Sequence, residues 1–208
     1  MALGISIAFI VIGALIVFYY FVFKRDPAVQ TPQGKNIVSP TSGKVIAIIS
    51  SNNLESIEIK KGMMGKIKTI ASEVAKEYTI VSIMMTPLDV HFQYAPISGT
   101  IISTKHISGT FVNAVSTQSL DILENENNEI LIKGSNYKIK VIQIAGFLAR
   151  RINCYVSKNQ KVDKGEKIGF IDLGSQVSLI LPSSIKITVK KGQKVIGGQT
   201  IIANEKNQ

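Results

Sequence analysis

The sequence predicts a mainly β protein: a β-dominated α+β domain of barrel-sandwich type behind one N-terminal transmembrane helix. Three observations lead there. The chain opens on an uncharged apolar stretch, Ala2 to Phe23. Beyond it, apolar runs of strand length alternate with Gly-containing turns, and helix-period patterns are short. Two internal repeats, too few for a solenoid, each pair such a turn with a short strand.

The N-terminal stretch is long enough, at about 1.5 Å per residue, to cross a hydrocarbon core of about 30 Å. No basic residue precedes it and no small-x-small site follows, so it reads as an anchor and not a cleaved signal. Tyr19 and Tyr20 suit a membrane interface, and Lys24 and Arg25 just beyond them predict that the following domain lies on the cytoplasmic side. Pro27, Pro32 and Pro40 keep the next stretch extended, as a short stiff tether. The divisions are therefore 1–24 as anchor, 25–36 as juxtamembrane linker and 37–208 as the main domain.

Within that domain, S-P-T-S-G-K-V-I-A-I (Ser39 to Ile48) recurs as A-P-I-S-G-T-I-I-S (Ala95 to Ser103). Likewise K-N-Q-K-V-D-K-G-E-K-I (Lys158 to Ile168) recurs as K-G-Q-K-V-I-G-G-Q-T-I (Lys191 to Ile201). These look like the quasi-symmetric halves of a barrel-sandwich, similar to biotinyl and lipoyl carrier domains. No lysine sits in the Met-Lys-Met or Asp-Lys-Ala hairpin of such carriers. Tyr78 to Thr86 reads as a buried strand, and Glu129 to Ala145 as a hairpin turning at Gly134-Ser135-Asn136. Helix is confined to a turn or two at Ser72 to Glu77 and at Asn113 to Leu123.

Lys and Arg outnumber Asp and Glu by 24 to 14, a net charge of +10. That balance suits nucleic acid or an anionic membrane face. Aromatic residues are scarce and no nucleic-acid module is present, which favours the membrane. The single cysteine, Cys154, excludes an internal disulfide framework and reads as a buried strand residue. With only His91 and His106 beside it, no metal site has ligands at a usual spacing.

The stretch with chemistry in it is I-G-F-I-D-L-G-S-Q-V-S-L-I-L-P (Ile168 to Pro182). Two strand-like runs, Lys167 to Leu173 and Gln176 to Leu181, meet at Gly174-Ser175 without a Pro, Asn or Asp to make a turn. By itself the dipeptide reads as an ordinary bend or bulge. Its flanks add to it. A-G-F-L-A-R-R-I-N-C (Ala145 to Cys154) and K-V-D-K-G-E-K-I-G-F-I (Lys161 to Ile171) stand upstream, and F-K-R-D-P (Phe23 to Pro27) and M-T-P-L-D-V-H-F-Q-Y-A-P-I-S-G (Met85 to Gly99) precede them in order. The ordered set resembles the short, class II form of the phosphatidylserine decarboxylases, including their archaeal lipid-serine relatives, from Phe23 to about Pro182.

The resemblance implies a proenzyme cut between Gly174 and Ser175, giving chains 1–174 and 175–208, with Ser175 converted to a pyruvoyl group, the only cofactor. Glycine leaves its carbonyl open to the neighbouring hydroxyl. A pyruvoyl ketone forms a Schiff base with a substrate amine and accepts the electron pair left by carbon dioxide. The implied substrate is a serine phospholipid, phosphatidylserine or the archaeal diether, decarboxylated to the ethanolamine lipid at an anionic membrane. Nucleic acid has no part in this, and association into oligomers is compatible with it. The competing class is a non-catalytic, membrane-anchored binding module or a degenerate family member.

Residue by residue, the L-D-V-H segment makes His91 the implied acid/base, although a lone histidine beside a strand is commonly a structural residue. S-G-T-F-V-N-A (Ser108 to Ala114) resembles the family's P-G-x-F-x-N-A segment and Asn125-Glu126 the start of its Asn-Glu-Arg, which implies loops at the substrate mouth for Asn113 and Glu126, and equally a plain turn and a solvated polar run. Arg150 and Arg151 match A-R-R; their guanidinium groups suit a lipid phosphate or carboxylate, and equally a salt bridge at a strand end. The chain departs from the pattern at Ser42, where relatives have aspartate. Tyr94 stands where some have a second histidine, and Asn127 where they have the arginine. His106 has no counterpart and reads as a surface strand residue.

Overall fold

The computed structural model describes residues 9–14, 17, 25–52, 56–60, 66–109, 125–146, 151–172 and 175–205. Residues 9–14 are helical, and among the described residues no helix is long and apolar enough to cross a membrane. The expected anchor falls largely outside the described residues, as does the helix expected at Asn113 to Leu123. Residues 72–74 form a turn where a short helix was expected.

The described chain is mostly strand: β1 (Asn36–Val38), β2 (Gly43–Ser51), β3 (Ser56–Lys60), β4 (Lys66–Ile70), β5 (Tyr78–Met84), β6 (Phe92–Tyr94), β7 (Gly99–Ile107), β8 (Asn127–Lys133), β9 (Lys138–Ile144), β10 (Ile152–Cys154), β11 (Lys161–Val162), β12 (Lys167–Ile171), β13 (Gln176–Pro182), β14 (Ile185–Ile187), β15 (Lys194–Val195) and β16 (Ile201–Glu205). The expected strand at 78–86 and the hairpin about Gly134 are present. An eight-stranded sheet, ordered β11-β7-β8-β9-β13-β5-β2-β15, curls into a half-barrel. Two three-stranded sheets, β1-β16-β14 and β10-β12-β6, and the β3-β4 hairpin complete the described strands. All pairings are antiparallel.

Alternation sorts the large sheet into two faces. Val177, Leu179 and Leu181 of β13 join Val81, Ile83, Ile130, Ile132, Ile139 and Val141 in the main core. The opposite parity, Ile180, Ile80, Ile142 and Ile144, meets Ile59 and Ile67 of the β3-β4 hairpin in a second core. Lys140 fastens that layer. Its ammonium, 1% exposed, bonds Glu129 at 2.9 Å, Glu73 at 2.5 Å and the Ile70 carbonyl at 2.7 Å. Cys154 corrects an expectation: it lies on β10, an edge strand whose outer face meets solvent, and its thiol is exposed.

The repeats fold as two copies of one clasp. Val162 pairs with Gly99 and Val195 with Gly43, so β11 and β15 hold the starts of β7 and β2 in the same register. Ile101 donates to the Gln160 carbonyl as Val45 does to that of Gln193. In each clasp a glycine with left-handed backbone, Gly165 (φ 85°) or Gly198 (φ 71°), donates to the carbonyl of Ala95 or Ser39. A serine hydroxyl closes each turn: Ser98 Oγ accepts from the Lys164 N–H at 2.9 Å, and Ser42 Oγ from the Gly197 N–H at 3.0 Å.

Two expectations follow. Ser42 is buried, so Ser42→Ala leaves the Gly197 N–H without an acceptor and should cost about 1–2 kcal/mol, whereas at exposed Ser98 water can take the place of the hydroxyl and Ser98→Ala should cost less. Urea denaturation of the two variants should show the difference. Lys140→Met would strand Glu129 beneath the hairpin, and the same measurement should show a loss of about 3 kcal/mol or more.

Candidate active site

Ser175 lies one residue before β13, the strand set between β9 and β5 in the middle of the large sheet. All seven residues of β13 are buried, so the approach to Ser175 is buried too, and the serine is 1% exposed. Its carbonyl accepts the Met85 N–H at 2.9 Å, extending the β5-β13 ladder by one step. Its hydroxyl has no hydrogen-bond partner among the described residues. Gly174, the other half of the expected cleavage site, lies outside the described residues.

The two strand-like runs that flank Gly-Ser do not pair with each other. β12 pairs with β10 and β6 in a small sheet, while β13 pairs with β9 and β5. The chain therefore passes from one sheet to another between Ile171 and Gln176. That crossing brings in His91. Its carbonyl accepts the Ile171 N–H at 3.2 Å, its ring centroid lies 6.4 Å from that of Phe170, and it is fully buried.

Burial is the main influence on the His91 ring, and it lowers the pKa below the usual 6.5; the Arg25 guanidinium acts in the same direction. A backbone hydrogen bond with Asp89 and the charges of Asp89 and Asp172 oppose it. The balance keeps the imidazole neutral around pH 7, the form that can accept a proton. The Asp89 carboxylate also caps the preceding turn, accepting from the N–H and hydroxyl of Thr86, both at 2.7 Å.

Met85 bridges the two expected catalytic residues. Its N–H holds Ser175, and its sulfur receives the Thr41 hydroxyl at 2.7 Å and lies 3.9 Å from Gln93 Nε2, which itself donates to the His91 carbonyl at 2.7 Å. Ser42, next to Thr41, is buried close by, with its hydroxyl engaged by Gly197. Tyr94 is 1% exposed beside Gly197 and Gly198. Its hydroxyl has no partner among the described residues, and burial first, then Asp26, pushes it up to about 12. It stays protonated where a histidine would titrate.

The expected substrate residues are more dispersed. Glu126 is half-buried and stands 3.5 Å from His106, which is exposed on β7 as expected. Glu126 also gives its carbonyl to the Ala145 N–H, one strand beyond the β13 edge. Arg151 has an exposed side chain, but its carbonyl accepts the Asp172 N–H at 3.2 Å. Asn127 is buried and donates to the Asn125 carbonyl. Asn113 and Arg150 lie outside the described residues.

Sequence reading did not single out Thr41, Met85, Gln93 or Asp172. Asp172 stands three residues before Ser175, and proximity in sequence alone was signal enough to have raised it. Met85 and Gln93 lie in the same Met85 to Gly99 segment as His91, whereas Thr41 meets the site only through a contact 44 residues along the chain.

At the rim, Asp26 pairs with Lys167, whose ammonium lies 4.7 Å from the Phe92 ring centroid, and the Arg25 guanidinium donates to the Leu88 carbonyl. A buried hydroxyl without a partner among the described residues, a neutral buried histidine and flanking carboxylates are groups suited to proton transfer.

A model of the phosphatidylserine decarboxylase family matches residues 14–203. A protein of Methanocaldococcus jannaschii named as an archaetidylserine decarboxylase proenzyme is 38% identical over 195 residues, covering 93% of each chain. Phosphatidylserine decarboxylase proenzymes of Wolbachia pipientis wMel and Chlorobium phaeobacteroides are 40% and 34% identical, over 88% and 91% of this chain and 74% and 81% of theirs. With a match along nearly its whole length, this chain belongs to the phosphatidylserine decarboxylase family and is a decarboxylase.

Proposed function

We propose that the chain is a proenzyme that cuts itself between Gly174 and Ser175 and then decarboxylates the serine headgroup of phosphatidylserine or archaetidylserine. The observation that carries this reading is the Ser175 hydroxyl, buried at the start of the central strand with no partner among the described residues. A buried hydroxyl without a hydrogen bond costs about 1–3 kcal/mol, and chemistry that consumes it relieves that cost. The relatives named as proenzymes support processing of this kind, and the serine lipids in their names support the substrate.

In this reading the Ser175 oxygen attacks the Gly174 carbonyl carbon. His91 takes the hydroxyl proton and returns it to the Ser175 nitrogen as the Gly174–Ser175 C–N bond breaks, so an ester replaces the amide and the Ser175 amine is set free. Loss of the Ser175 α-proton expels the Gly174 carboxylate and leaves dehydroalanine, whose hydrolysis gives the pyruvoyl cap and ammonia. The ketone so formed supplies a site for a substrate amine and a sink for the electron pair of departing carbon dioxide. His91 then holds the proton needed at the decarboxylated carbon. Asp172 and Asp89 stabilise the imidazole while it carries that proton, and burial makes it give the proton up.

The two fragments stay together because their strands interleave. Fragment 175–208 would keep β13 between β9 and β5, β15 on β2, and β16 on β1. We place the domain at the cytoplasmic face of the membrane, anchored by residues 2–23, where a net charge of +10 favours anionic lipid.

Intact mass spectrometry tests the central claim. The wild-type protein should be two chains, 1–174 and 175–208, the smaller lacking a free amine, and Ser175→Ala should remain whole. An uncut wild-type chain with serine at 175 and full decarboxylase activity would exclude the mechanism.

His91→Ala should abolish decarboxylation, a loss of at least about a hundredfold for a general acid/base, while His106→Ala leaves it unchanged. Because its pKa is lowered, the base form of His91 is present at pH 6.5 and above. Cleavage of newly made wild-type chain should therefore be level above pH 6.5 and slow as acid protonates the ring, with a midpoint below that value. A midpoint above 6.5, or wild-type turnover by His91→Ala, would assign the histidine a structural role.

A further inference from the structure

Three buried amides lie end to end beside His91. Asn128 on β8 and Gln143 on β9 are directly paired across the sheet, and Asn128 Nδ2 donates to Gln143 Oε1 at 2.8 Å. Gln143 Nε2 donates to Oε1 of Gln93, on β6, also at 2.8 Å, and Gln93 Nε2 donates to the His91 carbonyl at 2.7 Å. Gln93 and Gln143 are fully buried and Asn128 is 2% exposed. Asn128 and Gln143 stand on the face of the large sheet that carries the main core, where an apolar side chain would otherwise be expected, and Gln93 reaches them from the small sheet.

The direction of this row is forced. A backbone carbonyl only accepts, so Gln93 must turn its nitrogen to His91 and its oxygen to Gln143; Gln143 must then do the same toward Asn128. Each amide polarises the next, which strengthens the last bond in the row. Space has been made for it as well: a Cβ at Gly169 on β12 would overlap Gln143 Nε2 and the Asn153 carbonyl.

We propose that Asn128, Gln143 and Gln93 form a one-way amide relay that positions His91 for its proton transfers. The proposal rests on the function given above to His91. Gln93 and Ile171 together give the His91 carbonyl two donors, fixing the backbone from which the ring projects, while Gln93 also touches the sulfur of Met85, whose N–H holds Ser175. The relay thus sets the histidine and the serine against one another from a single side chain. Gln93, Gln143 and Asn128 are positioning residues; none of them contacts the reacting bond.

The test uses the full chain in detergent. The Ser175→Ala protein, kept whole for NMR, has two histidines, so long-range imidazole ¹H–¹⁵N spectra hold two ring systems, with His91→Ala giving the assignment. Gln143→Glu keeps the size of the side chain but offers an acceptor to Gln93, reversing that amide and removing the donor from His91. Gln143→Met keeps the volume and removes the row's polarity; it serves if the first variant does not fold. Either change should move or broaden the His91 ring signals, leave those of His106 in place and, with Ser175 present, slow cleavage by about tenfold or more.

Unchanged His91 signals in a folded variant overturn the relay, as do shifted signals with cleavage at the wild-type rate. An uncut wild-type chain would instead sink the proposed function, and the NMR spectra alone would then decide the relay.

Discussion

A strand buried on both faces imposes its conditions on the residue that starts it. β13 is paired on both edges, and Gln176 already meets Met84 on one side and Ile144 on the other. Ser175, one step earlier, is tied to Met85 by its carbonyl, and with 1% of the residue exposed its hydroxyl is shut off from water by the packing around it. The core supplies what this costs. Val177, Leu179 and Leu181 are fully buried from the same strand, and burial of such side chains contributes about 1.5–3 kcal/mol each, against about 1–3 kcal/mol for an unsatisfied hydroxyl. Burial from this one strand is therefore large enough to offset a serine hydroxyl that has no partner among the described residues.

Much of the frame was legible in the sequence because it is written in local patterns. β5, β12, β13 and the β8-β9 hairpin are apolar runs bounded by polar or glycine-containing turns, and the two clasps show as repeats because each needs the same serine and glycine at the same offset. Pairing partners are a different matter. β12 and β13 are neighbours in sequence but belong to different sheets, and nothing between Ile171 and Gln176 announces the crossing. Cys154 was misread for a related reason: strand-like composition does not tell an edge strand from a central one.

The site divides along the same line. Ser175 and His91 stand in contiguous motifs and could be named from them. Ser42 stood out as a departure from the family's aspartate, yet its hydroxyl does for one clasp what Ser98 does for the other. The repeat already contained that equivalence, in S-P-T-S-G and A-P-I-S-G. Gln143 and Thr41 carry no local signal, because a buried amide or hydroxyl is informative only once its partners, dozens of residues away, are in place; Gln93 stands two residues from His91, but its bond to Gln143 is equally remote in sequence.

The linker at 25–36 was expected as a spacer, and its contacts argue for a larger part in the architecture. Arg25 reaches the Leu88 carbonyl in the loop before His91, and Asp26 pairs with Lys167 at the start of β12. Val29 lies against Gly198 and Thr31 against Gly165, one on each clasp, and Lys164 ties down the Gly34 carbonyl and Asn36. A stiff spacer needs none of these. Pro27 and Pro32 limit the conformations this stretch can adopt before it docks, so less entropy is lost in holding it there. The consequence is geometric. With the proposed membrane span ending at Phe23, the next residues already touch the rim of the His91 loop, so the domain cannot drift from the bilayer by the length of a free linker. A lipid headgroup is confined to the bilayer surface, and a site docked this closely to the proposed anchor meets it at a distance set by the fold.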